Sequence, residues 1–332
     1  MNGIIISSTE DDGMNGIIIH NHEISPYWIE RLREAKEQGT ELDVLALHPV
    51  GGRNATDSLN GLIEQIKTPA FRTFTEQVAD LGMQLEYEMH TLSWLLPRDE
   101  FAHHPAWFRQ NAEGERTPDA NLCCSNEEAL TYLEERTAHL ASLLPQSGNR
   151  YFFWLDDIGG ARCHCPRCRE LTTSDQAMTV INRMLRGIRR VNPRATLCYL
   201  AYIDMIAPPT HVRPEEGIFL EYAPIKRDLS RPMSDPTCEK NAAEAQHLAP
   251  LLEFFGTENA QVLEYWMDNS LNCRWKLPYK KLPFYPEVIA ADAAFYRSLG
   301  FAHLTSFGCF LGEDYAAEFG IPPVCEYAAL LK

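Results

Sequence analysis

The sequence predicts a single (β/α)8 barrel, and three observations lead to this prediction. Eight short apolar runs, each typical of a strand buried on both faces, recur along the chain. Helix-like segments separate most of these runs. Eight strand–helix units in 332 residues fit the usual size of such a barrel. The competing fold, a doubly wound open sheet, predicts a G-x-G-x-x-G turn after an early strand, and the sequence contains none.

The predicted elements follow one another from residue 16 to the C-terminus. The first helix has strong start signals, because Ser25 is a good N-cap and Pro26 suits a first turn. Strands are predicted over residues 16–21, 44–49, 84–90, 151–156, 196–202, 218–222, 261–266 and 303–308. Helices are predicted over residues 25–38, 70–81, 125–144, 174–191, 239–255 and 286–299, and residues 314–331 are interpreted as helical material interrupted by proline.

Two loops depart from this regular pattern. Residues 91–125 form a long insertion after the third strand, and its aromatic and histidine content favours an ordered lid or pocket wall. A cysteine-rich loop follows the fourth strand. We expect residues 1–332 to form one domain. The hexapeptide MNGIII occurs at residues 1–6 and again at 14–19, so residues 1–13 are interpreted as an additional N-terminal segment.

Composition excludes several classes of partner. The chain carries 46 acidic and 30 basic side chains, a net charge of −16. We therefore expect neither nucleic-acid nor membrane binding, because phosphates require a basic surface. The N-terminus has no basic n-region, and no run approaches the roughly 20 apolar residues of a membrane span. Ten cysteines without an export signal favour free thiols or a metal site over disulfides, and we expect a cytoplasmic protein.

Polar side chains stand at nearly every predicted strand end. In a (β/α)8 barrel the carboxyl ends of the strands surround the active site, so these side chains should converge. Carboxylates mixed with tyrosine and tryptophan are typical of a carbohydrate site. The residues that we predict to bind substrate are His20, His22, Glu88, His90, Tyr202, Glu221, Tyr222, Trp266, Asp268 and Asn269.

Asp156 and Asp157 are the predicted catalytic residues. They follow the fourth strand directly, and two adjacent carboxylates should repel and raise at least one pKa. Asp157 would be the general acid/base, and Asp156 would position the substrate or its 2-acetamido group. If Asp156 is structural, Asp157 would instead be paired with Glu221 or Asp268. Two other classes remain open: a metal-dependent hydrolase or isomerase that uses His20 and His22, and a non-catalytic sugar-binding barrel.

The loop after these acids contains the motif C-x-C-P-x-C. Its C-P-x-C half is typical of zinc knuckles, in which tight turns direct thiolates at one ion. Cys163, Cys165 and Cys168 would supply three ligands, and Cys124 is the predicted fourth. A closed set of four ligands predicts a structural zinc ion, and free thiols or a disulfide are the alternatives. No organic cofactor is expected.

Several segments resemble a bacterial family, the domain of unknown function DUF4838. They are LDD-IGG-x-C-x-C-P-x-C, HPAWF, NLCCSN, YAPIKR, CEKN and EYWMDNS, and together they extend from about residue 107 to 270. The resemblance implies a glycoside-hydrolase-type (β/α)8 barrel. The pair Asp156–Asp157 also resembles the acidic pairs of O-GlcNAcases and β-hexosaminidases, which implies that Asp156 orients an acetamido group and Asp157 is the acid/base. The predicted function is hydrolysis of a small glycan that contains an N-acetylhexosamine or a uronic acid.

Overall fold

Eight parallel strands form a closed barrel in which each strand pairs with its neighbours in chain order. The computed structural model describes residues 13–40 and 42–332. This arrangement confirms the predicted (β/α)8 fold. The strands are β1 (Asn15–His20), β2 (Val44–His48), β3 (Gln84–His90), β4 (Arg150–Trp154), β5 (Thr196–Ala201), β6 (Ile218–Tyr222), β7 (Gln261–Glu264) and β8 (His303–Phe307).

Strand β1 closes the barrel by pairing with both β2 and β8. Ile18 lies opposite Ala46 on one side and opposite Phe307 on the other. Successive side chains of a strand point to opposite faces. The inward set forms its own cluster in the barrel interior, whereas the outward set packs against the helices in a larger core. This alternation decides which of the strand-end residues reach the mouth of the barrel.

Helices cover the outside of the barrel. None of the helices in the described ranges is long and apolar enough to cross a membrane. The helices are α1 (Pro26–Glu37), α2 (Ala55–Ile66), α3 (Pro69–Asp80), α4 (Leu92–Leu95), α5 (Glu127–Leu143), α6 (Thr173–Arg189), α7 (Glu239–Ala245), α8 (Leu248–Phe255), α9 (Asn269–Asn272), α10 (Pro286–Ser298), α11 (Glu313–Phe319) and α12 (Val324–Leu330).

Several helical segments differ from the sequence prediction, and for two of them the sequence gives the reason. Helix α2 was not predicted, because Asn60 and Gly61 lower the helix propensity of its centre, although Leu59, Leu62 and Ile63 give it a buried face. The helix predicted over residues 239–255 is two helices, α7 and α8. Pro250 lies in the first turn of α8, where its missing N–H costs nothing, whereas inside one continuous helix it would break the hydrogen-bond ladder.

The insertion after β3 is ordered and packs against the barrel. It contains α4 and two short 3-10 turns, and Cys123 N donates a hydrogen bond to Trp107 O (2.8 Å). The following helix, α5, is capped by Asn126, whose side chain accepts from Ala129 N. At the N-terminus, the second MNGIII copy supplies most of β1, and the first copy lies outside the described residues.

Candidate active site

A pocket opens at the carboxyl ends of the strands. We call it the mouth pocket. Its lining includes three histidines, two carboxylates and several aromatic rings. They are His20, His48, His90, Asp157, Asp268, Trp154, Tyr202, Tyr265, Trp275 and Phe307. These side chains come from seven different strands or the loops that follow them, so the barrel as a whole assembles the pocket.

Asp157 lies at the rim of the mouth pocket, three residues after β4, and its carboxylate is solvent-exposed. Tyr202 Oη donates a hydrogen bond to Asp157 Oδ1 (3.2 Å). Burial raises the pKa of Tyr202, and Asp157 and Asp268 raise it further, so its hydroxyl stays protonated and acts as a donor. Gly51 approaches from the loop after β2: a Cβ at this position would lie 2.8 Å from His90 Cδ2 and 3.6 Å from Asp157 Oδ2.

Asp157 also lines a second hollow beside the mouth pocket. We call it the side groove; it is bounded by Gly52, Ser93, Arg98 and Asp119. Ser93, Arg98 and Asp119 belong to the insertion after β3, which therefore forms part of the groove wall, as the sequence predicted. The carboxylate of Asp157 consequently stands where the two hollows meet.

Asp268 is the second carboxylate of the mouth pocket, and it is buried. It caps α9: its Oδ1 accepts hydrogen bonds from Ser270 Oγ (2.6 Å) and Leu271 N (3.0 Å). Burial raises the pKa of Asp268 to about 6, and these hydrogen bonds lower it only in part. Across the described ranges, no side chain or backbone N–H donates to Oδ2 of Asp268. One oxygen of a well-oriented carboxylate thus remains free for a ligand.

Asp156 does not face the mouth pocket, although its neighbour Asp157 does. Its Oδ2 accepts hydrogen bonds from the guanidinium of Arg98 and from Asn121 N (2.6 Å), and it lies in the wall of the side groove. Consecutive residues of an extended chain point to opposite sides, which separates the pair. Asp156 therefore holds the insertion against β4, and we no longer assign it to the substrate.

Two histidines of the mouth pocket are fixed by backbone carbonyls. His48 Nδ1 donates to Glu88 O (2.7 Å), and His90 Nδ1 donates to Leu155 O (2.6 Å). A carbonyl only accepts, so Nδ1 carries a proton in both rings. Burial lowers the pKa of His48 to about 4, which keeps this ring neutral. Nε2 of His48 is therefore left to accept a hydrogen bond from a hydroxyl group.

Glu88 and Glu221 lie below the mouth pocket, inside the barrel. Both are fully buried, and both accept from Gln261 Nε2, at 3.2 Å and 3.3 Å respectively. Glu221 Oε2 also accepts from Trp154 Nε1 (2.7 Å), so it supports the aromatic floor of the pocket. Neither glutamate lines the pocket, which corrects their prediction as substrate contacts.

Three more predicted substrate contacts lie elsewhere. Tyr222 and Trp266 belong to the outer core, where Trp266 Nε1 donates to Asp292 Oδ2 (3.0 Å). Strand alternation explains both corrections, because Glu221 and Tyr265 take the inward positions next to them. Asn269 is buried, and its Nδ2 donates to Lys280 O (3.0 Å) and Phe310 O (3.3 Å), so it joins two loops.

His20 and His22, which were both predicted to bind substrate, lie in different surroundings. His20 lines the mouth pocket, whereas His22 is exposed beside it, with the two rings stacked 4.9 Å apart. Of the predicted substrate-binding residues, the structure therefore brings His20, His90, Tyr202 and Asp268 together with Asp157 around one pocket.

The cysteine-rich loop contributes three thiols to a buried cluster. Cys163, Cys165 and Cys168 meet Cys123, and all four sulfur atoms lie within 4.8 Å of one another. Cys123 Sγ is 3.7 Å from Cys165 Sγ and 3.8 Å from Cys168 Sγ. A tetrahedral ion with metal–sulfur bonds of about 2.3 Å requires sulfur atoms about 3.8 Å apart. The cluster could therefore bind a metal ion such as zinc.

The fourth member of this cluster is Cys123, and the prediction of Cys124 is corrected. Cys124 Sγ contacts Cys168 Sγ (3.5 Å) but stands outside the group of four. Backbone N–H groups and polar side chains surround the sulfur atoms: Gln110 N donates to Cys163 Sγ (3.3 Å), and Arg116 Nη1 lies 3.8 Å from the same atom. Such N–H···S contacts stabilise thiolates, which are the metal-binding form.

The model of the DUF4838 family, a domain of unknown function, matches residues 63–254 of this chain. The chain belongs to the DUF4838 family. The matched region extends from α2 to α8. It includes the insertion, all five cysteines of the two loops that form the cluster, and β4 with Asp156 and Asp157 after it. A search of curated proteins gives no significant match.

Several solved structures with a similar fold are glycoside hydrolases. The DUF4838 chain is similar to a β-N-acetylhexosaminidase from Bacteroides fragilis (TM-score 0.56, 11% identity), covering 96% of this chain and 66% of that one. It is similar to a family 5 glycoside hydrolase from Prevotella bryantii (TM-score 0.54, 10% identity), covering 97% of both chains. It is also similar to an endo-β-1,4-glucanase from Bacillus licheniformis (TM-score 0.53, 11% identity), covering 96% and 59%. The chain thus spans less than two thirds of the first and third of these proteins.

His48, Trp154 and Tyr265 line this DUF4838 pocket but are not among the predicted substrate contacts, and Trp275 and Phe307 were not predicted either. His48, Trp154 and Tyr265 each occupy the last inward position of a strand or the next inward position beyond it. Trp154 lies in an apolar run of the sequence, so the sequence favours a core position for it. A strict count of alternate residues, starting from Ile18 and its equivalents in the barrel interior, would have selected all three.

Proposed function

We propose that this protein hydrolyses a glycosidic bond of a small carbohydrate bound in the mouth pocket. The observation that carries this proposal is the convergence of Asp157 and Asp268, from β4 and β7, on one pocket that is otherwise lined by aromatic rings and histidines. Glycoside hydrolysis requires two such carboxyl groups, one on each side of the scissile bond. The barrel that this chain shares with several glycoside hydrolases supports the same conclusion.

Asp157 is the proposed general acid/base. It stands between the mouth pocket and the side groove, so a bond that joins a sugar in the pocket to a leaving group in the groove would pass beside its carboxylate. Tyr202 holds Asp157 Oδ1 by a hydrogen bond, which leaves Oδ2 to exchange a proton with the glycosidic oxygen. Solvent exposure at the rim allows this carboxyl group to be reprotonated after each cycle.

Asp268 is the proposed second carboxylate. It acts in its ionised form, either as the nucleophile or as the base that activates water. With a pKa of about 6, it is mostly ionised at neutral pH yet basic enough to accept a proton. Ser270 and Leu271 hold Oδ1, so that the free Oδ2 has a defined direction. This pairing is favoured over the Asp156–Asp157 pair, because Asp156 is bound to Arg98 and Asn121.

The lining of the mouth pocket favours a neutral sugar. Among the residues that the structure describes, no lysine or arginine lines it, whereas two carboxylates do, so a uronic acid would meet repulsion without a compensating cation. His48 offers its Nε2 as an acceptor to a sugar hydroxyl, and Trp154 and Tyr265 offer apolar ring surface. A neutral hexose or an N-acetylhexosamine suits this chemistry. The fold of the Bacteroides fragilis β-N-acetylhexosaminidase agrees with the second of these.

The cysteine cluster has a structural role in this proposal. Cys123, Cys163, Cys165 and Cys168 would bind one zinc ion as four thiolates, and a closed set of four protein ligands leaves no position for substrate. The ion would join the insertion after β3 to the loop after β4, the two segments that flank Asp156 and Asp157. Its contribution to the reaction is therefore the rigidity of this part of the site.

A panel of chromogenic glycosides tests the proposed function. We expect the wild type to cleave at least one neutral glycoside and the Asp157→Asn variant to lose about 10²- to 10⁴-fold in turnover, as is usual for removal of a general acid/base. The Asp156→Asn variant is the control, because it makes the same substitution at the adjacent residue. Its side-chain amide oxygen can still accept the hydrogen bond from Asn121 N, so we expect most of the turnover to remain. Failure of every substrate, or equal rates for wild type and Asp157→Asn, would refute the assignment. Sugar binding without turnover, unchanged in that variant, would indicate a non-catalytic binding protein.

A further inference from the structure

A second group of metal-binding side chains lies at the rim of the mouth pocket. His20 ends β1, and a 3-10 turn over Asn21–Glu23 follows it. This turn brings His20, His22 and Glu23 together, with one ligand atom from each within 4.8 Å of the other two. The proposed hydrolysis uses neither His22 nor Glu23, and the group is separate from the cysteine cluster.

His20 has a buried nitrogen that lacks a hydrogen bond. Only 4% of the residue is exposed, yet Nδ1 has no hydrogen-bond partner in the described part of the chain. A buried polar atom without a partner is costly, so such an atom indicates a missing ligand. Glu23 Oε2 lies 3.4 Å from His20 Nδ1, in a geometry that does not form a hydrogen bond. Two ligands bound to one ion at about 2.1 Å would be about 3.0 to 3.4 Å apart.

Glu23 is held rigidly in the same place. Its Oε2 accepts hydrogen bonds from Phe310 N (3.1 Å) and His20 N (3.3 Å). Phe310 has a φ of 62°, a conformation that costs a non-glycine residue free energy and that here directs its N–H at the carboxylate. Within residues 13–40 and 42–332, no lysine or arginine forms an ion pair with Glu23. A largely buried carboxylate with no cation next to it is electrostatically suited to receive one.

We infer that His20, His22 and Glu23 bind a divalent transition-metal ion. Two imidazoles and one carboxylate favour zinc, nickel or cobalt over magnesium and calcium, which prefer oxygen ligands alone. Three protein ligands leave at least one position for water or another small ligand, as in metal sites that are not purely structural. His22 is exposed, so an ion can enter from solvent without rearrangement of the barrel.

Calorimetric titration with Ni²⁺ tests this site on the full-length protein, purified without a polyhistidine tag. We expect one Ni²⁺ per chain for the wild type and at least tenfold weaker binding for His22→Ala. His22 is exposed, so its replacement removes a ligand without removing core packing. The matched control is His103→Ala, another exposed histidine, which should bind as the wild type does. Elemental analysis of each protein establishes that the metal content of the cysteine cluster is the same in all three.

A second variant, Glu23→Gln, removes the only negative charge among the three ligands and should weaken binding at least as much as His22→Ala. The inference is overturned if the wild type binds neither Ni²⁺, Co²⁺ nor Zn²⁺ beyond the cysteine cluster, or if His22→Ala and His103→Ala bind with equal affinity. No substrate is used in these measurements, so their outcome is independent of the proposed hydrolysis.

Discussion

The two carboxylates of the mouth pocket differ in their surroundings. Asp157 is exposed at the rim and is contacted by the hydroxyl of Tyr202. Asp268 is buried, and no lysine or arginine lines the pocket around it. Different environments around two chemically identical groups are the usual way in which an active site separates the roles of acid and base. This difference leads to a prediction about pH dependence.

We expect kcat/KM to fall as the pH drops through about 6. Burial raises the pKa of Asp268 from 3.8 to about 6, so the carboxylate that the reaction requires becomes protonated below this pH. The measurement is a pH–rate profile on the best chromogenic glycoside. Asp268→Asn should lose about 10²- to 10⁴-fold at every pH, whereas Asp314→Asn, on an exposed position of α11, should reproduce the wild-type profile. A flat profile between pH 5 and 7 would exclude Asp268 as the ionised group.

At the scale of elements, the cysteine cluster joins two loops that flank the site. Cys123 belongs to the insertion after β3, and Cys163, Cys165 and Cys168 belong to the loop after β4. Hydrogen bonds add to this connection, because His164 N donates to Gln110 O (2.8 Å). If an ion occupies the cluster, its removal should loosen both loops together.

The adjacent cysteines Cys123 and Cys124 provide a matched pair of variants. We expect about one zinc ion per chain in the wild type and in Cys124→Ser, but a loss of most of the metal in Cys123→Ser, because only Cys123 belongs to the group of four. Cys123→Ser should also unfold at a lower temperature, since metal-binding free energy contributes to folding. Elemental analysis and thermal unfolding are the measurements. Less than about half an equivalent of zinc in the wild type, or equal metal loss in both variants, would contradict the assignment.

The sequence predicted the eight strands but not the direction of every side chain. An apolar run identifies a strand but does not show which of its residues point into the barrel. A shift of one residue along the strand moves a side chain from the pocket to the opposite face. Tyr222 and Trp266 were therefore predicted as substrate contacts, although both face the helices. The same limitation applies to the cysteines. Cys123 and Cys124 are adjacent, so their spacing to the knuckle differs by one residue, and only the fold distinguishes them.

At the scale of the whole molecule, the barrel interior contains a polar layer that no local pattern predicts. Glu88, Glu221 and Gln261 come from three strands and meet through hydrogen bonds between residues as far apart as 173 positions. Arg150 Nη2 donates a hydrogen bond to Gln261 Oε1 (2.6 Å), so the guanidinium of Arg150 places a positive charge beside this layer. This layer forms only when the barrel closes and brings the three strands together. The sequence therefore indicates polar residues within strands, but not that they are buried in contact with one another.

This layer should make the stability of the protein depend on Glu221. Burial raises its pKa to about 7, whereas glutamates of an unfolded chain titrate near 4.5. The folded state therefore holds a proton that the unfolded state releases, and the stability contributed by protonated Glu221 is complete below about pH 4.5 and is lost as the pH rises through about 7. The Glu221→Gln variant has no proton to lose at this position, and its amide oxygen can still accept the hydrogen bond from Trp154 Nε1.

We expect the free energy of unfolding of Glu221→Gln, relative to wild type, to increase by about 2 kcal/mol between pH 5 and pH 8. Denaturant unfolding at several pH values measures this difference, and the subtraction removes the contributions of groups that do not interact with Glu221. Glu88 does interact with it, so the measured difference belongs to the Glu88–Glu221 pair. Glu216→Gln, at an exposed turn before β6, is the control and should give a difference that does not change with pH. A difference for Glu221→Gln that does not change with pH would contradict this prediction. It would mean that Glu221 has the same pKa in the folded and unfolded states, despite its complete burial and its contact with Trp154.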